Sequence, residues 1–343
     1  MKKKITIAVD AMGGENAPFK TIGGINEFIK RNKSLDDFLI KIYGDVEKIK
    51  SELNKYNIEQ KFFQIIHSEG VVSDNETPLT AIKNSKNTSM WNCVSSQLDA
   101  ESDISLSAGN TGVLLVISKM ILKTIKNVNK PALAGLWPNE KGMNIVLDLG
   151  ANIECDENNL IQFSEMGAAL YKSLYNNDHP KVALLNIGSE EIKGTELLKK
   201  TYSTLKKLNS KDFNFNGFIE GNEIMKGDSN VIITDGFTGN IALKTAEGTA
   251  KFITTNLKNS LNETIFSKIS LLFSFKSLQK FKERLDPRKF NGAIFLGLNG
   301  PVVKSHGSID YIGFYYSIDL CYKIVKGNLM RQIKYNLSHL NEK

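Results

Sequence analysis

The 343-residue chain has only three cysteines, Cys93, Cys155 and Cys321, widely spaced and without a Cys-x-x-Cys pair. That scarcity argues against a disulfide framework or a zinc site and points to reduced, inert thiols. No apolar run approaches the roughly 18 residues that a membrane span needs. The best candidate, Val113 to Leu122, is broken by Ser118 and Lys119. The start reads Met1-Lys2-Lys3-Lys4, then Ile5 to Val9, then Asp10. That stretch is too short for a signal-peptide core and has no small-residue cleavage site, so a cytoplasmic protein is expected. Also missing are Gly-x-x-x-x-Gly-Lys-[Ser/Thr], a Gly-x-Gly-x-x-Gly after a strand, and Gly-x-Ser-x-Gly. Their absence weighs against a P-loop ATPase, standard dinucleotide binding and a serine-hydrolase triad.

What is present is an ordinary globular balance, 41% hydrophobic and 24% charged, able to bury a sizeable core. The net charge of +7 favours acidic partners, although on composition alone a solvated basic surface is the better explanation. Short apolar runs alternate with helical patterns. Strands are expected at Lys4–Val9, Phe38–Tyr43, Phe62–Ile66, Asp103–Leu106, Met143–Leu147, Lys181–Asn186, Asn230–Thr234 and Ala293–Leu296. Helices are expected at Phe19–Arg31, Val46–Tyr56, Pro78–Asn84, Gly112–Ile125, Leu160–Leu174, Thr195–Lys207 and Ile241–Lys258. Several strands are apolar throughout, as in a parallel sheet covered on both faces. The alternation implies a layered α/β fold, and no linker composition divides residues 1–343 into separate domains.

Ligands in such folds bind beyond the carboxyl ends of strands. Glycine and polar clusters follow six of the expected strands: 10–18, 107–112, 148–152, 186–194, 235–240 and 297–308. All six are expected on one rim. Glycine allows close backbone approach, and a helix starting immediately afterwards aims its N–H groups at an anion. An internal echo links Gly109-Asn110-Thr111-Gly112 with Gly236-Phe237-Thr238-Gly239, each between an apolar strand and a helix start. Lys304 and His306 share a glycine-bounded loop with Ser305 and Ser308, where a cation and a proton carrier near neutral pH would be useful. Asp148 and Asp235 read as loop caps, since no histidine joins them at ligand spacing. His67, His179 and His339 have no such company and read as structural.

Residues 258–289 hold eight Lys/Arg and only three acidic residues. Ile265, Ile269, Leu272 and Phe273 fall at helical spacing, as do Leu271, Phe275, Leu278 and Phe281. The segment reads as an amphipathic helical excursion. It would meet an anionic bilayer through Ile269, Leu272, Phe273 and Phe275, or alternatively a partner subunit or the core.

The runs AVDAMGGENAP (8–18), SAGNTG (107–112), LDLGAN (147–152), LLNIGSEEIKG (184–194), TDGFTGNIALKTAEG (234–248) and GLNGPVVKSHGS (297–308) together resemble the phosphate acyltransferase family (PlsX). The match runs in order over nearly the whole chain. The resemblance implies a Rossmann-like α/β/α sandwich related to phosphotransacetylases and isocitrate dehydrogenases. It implies transfer of a fatty acyl group from acyl carrier protein to inorganic phosphate, with no cofactor and no metal. It further implies a homodimer and hand-off of acyl-phosphate to a membrane glycerol-3-phosphate acyltransferase; nucleic acid is not an expected partner. Two departures stand out. Glu15 occupies a place usually held by Asp, and the stretch 75–90 is poorer in basic residues, leaving Lys83 and Lys86 as its candidate cations.

A thioester is already electrophilic, so the expected mechanism is placement and oxyanion stabilisation without a covalent acyl-enzyme. Backbone N–H groups of Gly109–Gly112 and Gly236–Asn240 are expected to cradle phosphate, with Ser107, Asn110, Thr111, Asn152, Thr238, Gly239 and Asn240 adding contacts. Lys304 neutralises charge, with Lys193 or Lys244 in reserve, and His306 protonates the leaving thiolate. Asp10, Asn186 and Asp235 complete the candidates. The rival readings are a coenzyme A-dependent phosphotransacetylase or phosphotransbutyrylase, a nicotinamide-dependent dehydrogenase of the related fold, and a lipid- or phosphate-sensing module.

Overall fold

The structure is a computed structural model that describes residues 4–73, 76–176, 179–263, 276–283 and 285–341. Eleven strands form one sheet: β1 (Ile5–Asp10), β2 (Phe38–Gly44), β3 (Phe63–His67), β4 (Ile104–Ser107), β5 (Ala132–Asn139), β6 (Gly142–Leu147), β7 (Lys181–Leu185), β8 (Asn214–Ile219), β9 (Val231–Ile233), β10 (Ala293–Leu296) and β11 (Val302–Lys304). Their order is β3-β2-β1-β4-β11-β10-β5-β6-β9-β7-β8. The helices are α1 (Phe19–Arg31), α2 (Val46–Leu53), α3 (Pro78–Asn84), α4 (Ser89–Ser95), α5 (Thr111–Leu122), α6 (Glu157–Tyr175), α7 (Glu196–Leu208), α8 (Gly236–Glu263), α9 (Tyr311–Lys326) and α10 (Leu329–Asn341).

The apolar strands are buried as their composition requires: β4 is buried at every position and β1 at its last four. Between the sheet and its helices, Phe28 of α1 meets Phe38 of β2 edge-on, ring centroids 5.1 Å apart, beside Tyr322 of α9. Truncating such a ring to alanine costs about 3–5 kcal/mol. Capping fixes helix entry where the strand-to-loop motifs end. The Asn110 side chain caps α5, and Asp156 makes a reciprocal capping box with Asn159 on α6.

Strand direction corrects one expectation. β3, β2, β1, β4 and β11 run parallel, but β10 is antiparallel to both β11 and β5, and β6 is antiparallel to β5. β6, β9, β7 and β8 then run parallel to one another. The carboxyl ends of β1, β4 and β11 therefore lie on one rim, and those of β6, β9 and β7 on the opposite rim. The six glycine loops do not share one edge. The reversal comes from β5 and β10. β5 was not among the expected strands because Pro138 and Gly135 disguise it; β8 and the three-residue β11 were missed as well. Helices α4, α9 and α10 add to the expected set, and α8 extends both before and beyond the expected Ile241–Lys258.

Residues Ile269, Leu272, Phe273 and Phe275 lie outside the described residues. The parts of the basic segment that are described are the last turns of α8, a helical stretch over 276–283 and residues 285–289, which lead into a short 3-10 helix at Pro287–Phe290.

Candidate active site

At the first rim, three loops knot together. Asp10 ends β1 and is buried; Ser107 Oγ, at the end of β4, donates to its Oδ2 at 2.6 Å. Burial pushes the Asp10 carboxyl above its ordinary value, while the Ser107 hydroxyl opposes that shift. Gly109 N–H donates to Ser107 Oγ at 3.1 Å, so the turn after β4 is tied to β1 through one hydroxyl. Gly14 has φ +76°, and a Cβ there would lie 2.6 Å from Lys20 Nζ, 2.7 Å from Ala108 O and 3.0 Å from Gly307 O. Only glycine fits this crossing of the β1, β4 and β11 loops.

Two lysines sit in the knot. Lys304, the last residue of β11, pairs in register with Ser107, and its Nζ donates to the Ser305 carbonyl and lies 3.5 Å from Ala108 O. Lys20, in the first turn of α1, donates through Nζ to the Gly307 carbonyl. Their exposures are only 9% and 2%, and holding ammonium groups there carries a desolvation cost that a surface lysine avoids. His306 lies between these two attachments. Its backbone N–H donates to Asn291 Oδ1 at 3.0 Å, and Asn291 Nδ2 in turn bonds Ser305 and Ser317.

α8 reaches this rim from the opposite one. It starts after β9, and Asn240, Lys244 and Glu247, at i, i+4 and i+7, share one side of it. Asn240 lies at the far end, against the Gly150 turn. Lys244 and Glu247 form an ion pair at 2.8 Å, and both charges act on His306. Partial desolvation lowers the His306 pKa below its usual value; Lys304, Lys244 and Lys20 lower it further, and Glu247 opposes them. The site is thus an exposed imidazole backed by buried cations.

The second rim is built around another buried carboxylate. Asp148 is buried after β6. Its Oδ1 accepts from the N–H groups of Leu133, Gly150 and Ala151, and its Oδ2 accepts from Asn152 N at 2.8 Å and Asn152 Nδ2 at 2.7 Å. Burial pushes this carboxyl up, and the N–H donors pull it down. Asp235 accepts from Thr238 N at 2.7 Å and from Thr238 Oγ1 at 2.9 Å. Gly236 N–H donates to Asn152 O, and Gly239 N–H to Asp235 O. Gly239 packs its α-carbon onto the Asp148 carbonyl, where no side chain fits. Both aspartates organise loops, as expected. The N–H groups of Gly236, Thr238 and Gly239 all bond within the protein.

The remaining candidates are dispersed. Asn110 Oδ1 accepts from Val113 N–H, so its carbonyl serves the α5 cap, with Thr111 and Gly112 in the helix beyond it. Asn186 Nδ2 holds the Lys193 carbonyl at 3.1 Å, and Lys193 pairs with Glu190 at 2.8 Å, so neither joins His306. Glu15 is exposed and contributes its N–H to Gly307 O at 3.0 Å; Lys83 and Lys86 are exposed around the end of α3, the helix that packs on α5. The sequence reading missed Lys20 and Glu247. A lysine or glutamate on a helix reads as solvent-facing, and no local pattern marks these two as exceptions.

Solved structures similar to this one share its architecture. EutD phosphotransacetylase from Staphylococcus aureus superposes with a TM-score of 0.59 at 14% identity, over 94% of both chains. A phosphotransacetylase from Streptococcus pyogenes gives 0.59 at 17% identity, over 95% of each. The chain thus has the phosphotransacetylase fold. Its sequence matches the family described as "Fatty acid synthesis protein" over residues 5–332. It is 57% identical over 337 residues to the phosphate acyltransferase of Pelagibacter ubique (strain HTCC1062), covering 98% of this chain and 100% of that one. It is 40% identical to that of Parvibaculum lavamentivorans, over 99% and 94%. The chain belongs to the phosphate acyltransferase family and is an acyltransferase.

Proposed function

We propose that the protein transfers a long-chain fatty acyl group from acyl carrier protein to inorganic phosphate, giving acyl-phosphate for phosphatidic acid and phospholipid synthesis. The observation that carries this reading is the cationic knot at the first rim, where Lys304 and Lys20 are buried beside an exposed His306. Such a site suits a dianionic nucleophile and the oxyanion it generates. Phosphate is positioned against Lys304 and Lys244 and attacks the thioester carbon, and His306 stands beside the reacting carbonyl.

No cysteine competes as nucleophile. Cys93 and Cys321 are buried, and burial raises both thiols; the Cys155 thiol is pushed up to about 12, chiefly by burial. A thiol held protonated does not attack a thioester efficiently, which supports direct attack by phosphate.

The test is release of free carrier protein from palmitoyl-carrier, with and without phosphate. Strict phosphate dependence supports the proposal. Turnover of acyl-coenzyme A alone would replace the donor, and binding without turnover would make the protein a sensor.

The reading includes a homodimer acting in the cytoplasm at the membrane surface and passing its product to a membrane glycerol-3-phosphate acyltransferase. No helix among the described residues is long and apolar enough to cross a membrane. The outer half of α8 exposes Phe252, Ile253 and Leu257, a surface suited to cover by a partner subunit or lipid. Liposome flotation of the Leu272→Glu, Phe273→Glu double variant checks the bilayer contact; flotation equal to wild type removes it.

A further inference from the structure

The β11 loop holds the imidazole of His306 in a definite orientation. Ser308 approaches Nδ1 twice, with its hydroxyl at 3.1 Å and its backbone N–H at 3.4 Å. A backbone N–H can only donate, so Nδ1 is the acceptor and the ring proton of the neutral form sits on Nε2. Two further attachments fix the loop. Asn291 takes the His306 N–H, and the next carbonyl, Gly307 O, accepts from both Glu15 N–H and Lys20 Nζ. Lys20 is thus the side chain that fastens the far side of the loop to α1.

We propose that Lys20 is a positioning residue for His306: by fastening the Gly307 carbonyl it keeps Nδ1 on the Ser308 donors and presents Nε2–H as a neutral hydrogen-bond donor to the substrate oxyanion. The charged groups acting on the ring agree. Lys20 on α1, Lys304 on β11 and Lys244 on α8 disfavour imidazolium, against Glu247 on α8. The proton balance requires no imidazolium acid. When monohydrogen phosphate attacks the acyl carbon, the C–O bond forms and the C–S bond breaks. The phosphate's own proton then passes to the departing thiolate, giving acyl-phosphate dianion and free thiol. His306 stabilises the tetrahedral oxygen and keeps its proton.

The inference rests on placing His306 at the reacting carbonyl, and the two can fail separately. His306→Ala with undiminished phosphate-dependent turnover ends that placement, whereas the tautomer is read by nitrogen-15 histidine NMR without turnover. The expected spectrum at pH 7 is neutral His306 protonated on Nε2. In Lys20→Met the imidazolium form appears at higher pH than in wild type. The ratio of kcat/KM at pH 8 to that at pH 6 then grows about two-fold. Lys20→Arg, which keeps charge and donor, restores both readouts; a purely structural lysine would alter stability without moving the pH profile. An imidazolium or Nδ1–H ring at pH 7, or a Lys20→Met enzyme titrating as wild type, overturns the proposal. If Lys20→Met does not fold, the wild-type tautomer and the Lys20→Arg profile decide.

Discussion

The two rims of the sheet carry the same short sequence device, Gly-x-Thr-Gly between a strand and a helix, and put it to different uses. After β4, Gly109 joins a knot, built with Ser107 and Ala108, that encloses two ammonium groups, Lys20 and Lys304, while Asn110 caps α5. After β9, residues 236–239 lock onto Asp235, Asn152 and the Asp148 carbonyl. One rim sets two buried ammonium groups, together with the buried Asp10, behind an exposed histidine; the other folds its loops around the buried Asp148 and the half-buried Asp235. A glycine turn at a helix start therefore does not define an anion site until its N–H groups are accounted for. α8 joins the two ends, with Asn240 at the carboxylate rim and Lys244 and Glu247 facing His306.

This contrast yields predictions at each rim. The largest effect belongs to Lys304. Lys304→Met keeps the buried stem and removes the charge, and phosphate-dependent turnover falls about 10²–10³-fold, measured by carrier release; a loss under three-fold would take Lys304 out of the chemistry. Asp148 gives the largest stability effect. Asp148→Ala strips the acceptor from five N–H bonds and costs about 3 kcal/mol, measured by urea denaturation.

The smallest effect is at Asp10, whose folded-state pKa is raised by burial. Its favourable contribution is fully present below the unfolded value of 3.8 and is lost as pH rises through the folded value. Asp10→Asn therefore gains stability relative to wild type between pH 4 and pH 8, by about 1 kcal/mol. An invariant difference across that range would show that the carboxylate is as comfortable folded as unfolded.

The family resemblance and the α/β class were legible because they rest on local signals: apolar strands, and loops such as 107–112 and 297–308 at strand ends. Strand direction was not legible. β10 reads like any buried strand, and β5, with Pro138 and Gly135, does not resemble one. Without the antiparallel pairings, all the loops fall on one rim. Lys304 and His306 stood out because glycines frame them. Lys20 did not, since a lysine in a helix's first turn looks solvated and only the Gly14 crossing shows where its ammonium goes.

The most direct test of this division is inorganic phosphate binding by calorimetry to wild type, Lys304→Met and Asp235→Asn. The account predicts that Lys304→Met loses at least ten-fold in affinity, about 1.4 kcal/mol, while Asp235→Asn binds as wild type does. Phosphate binding weakened by Asp235→Asn and untouched by Lys304→Met would place the anion on the opposite rim and contradict it.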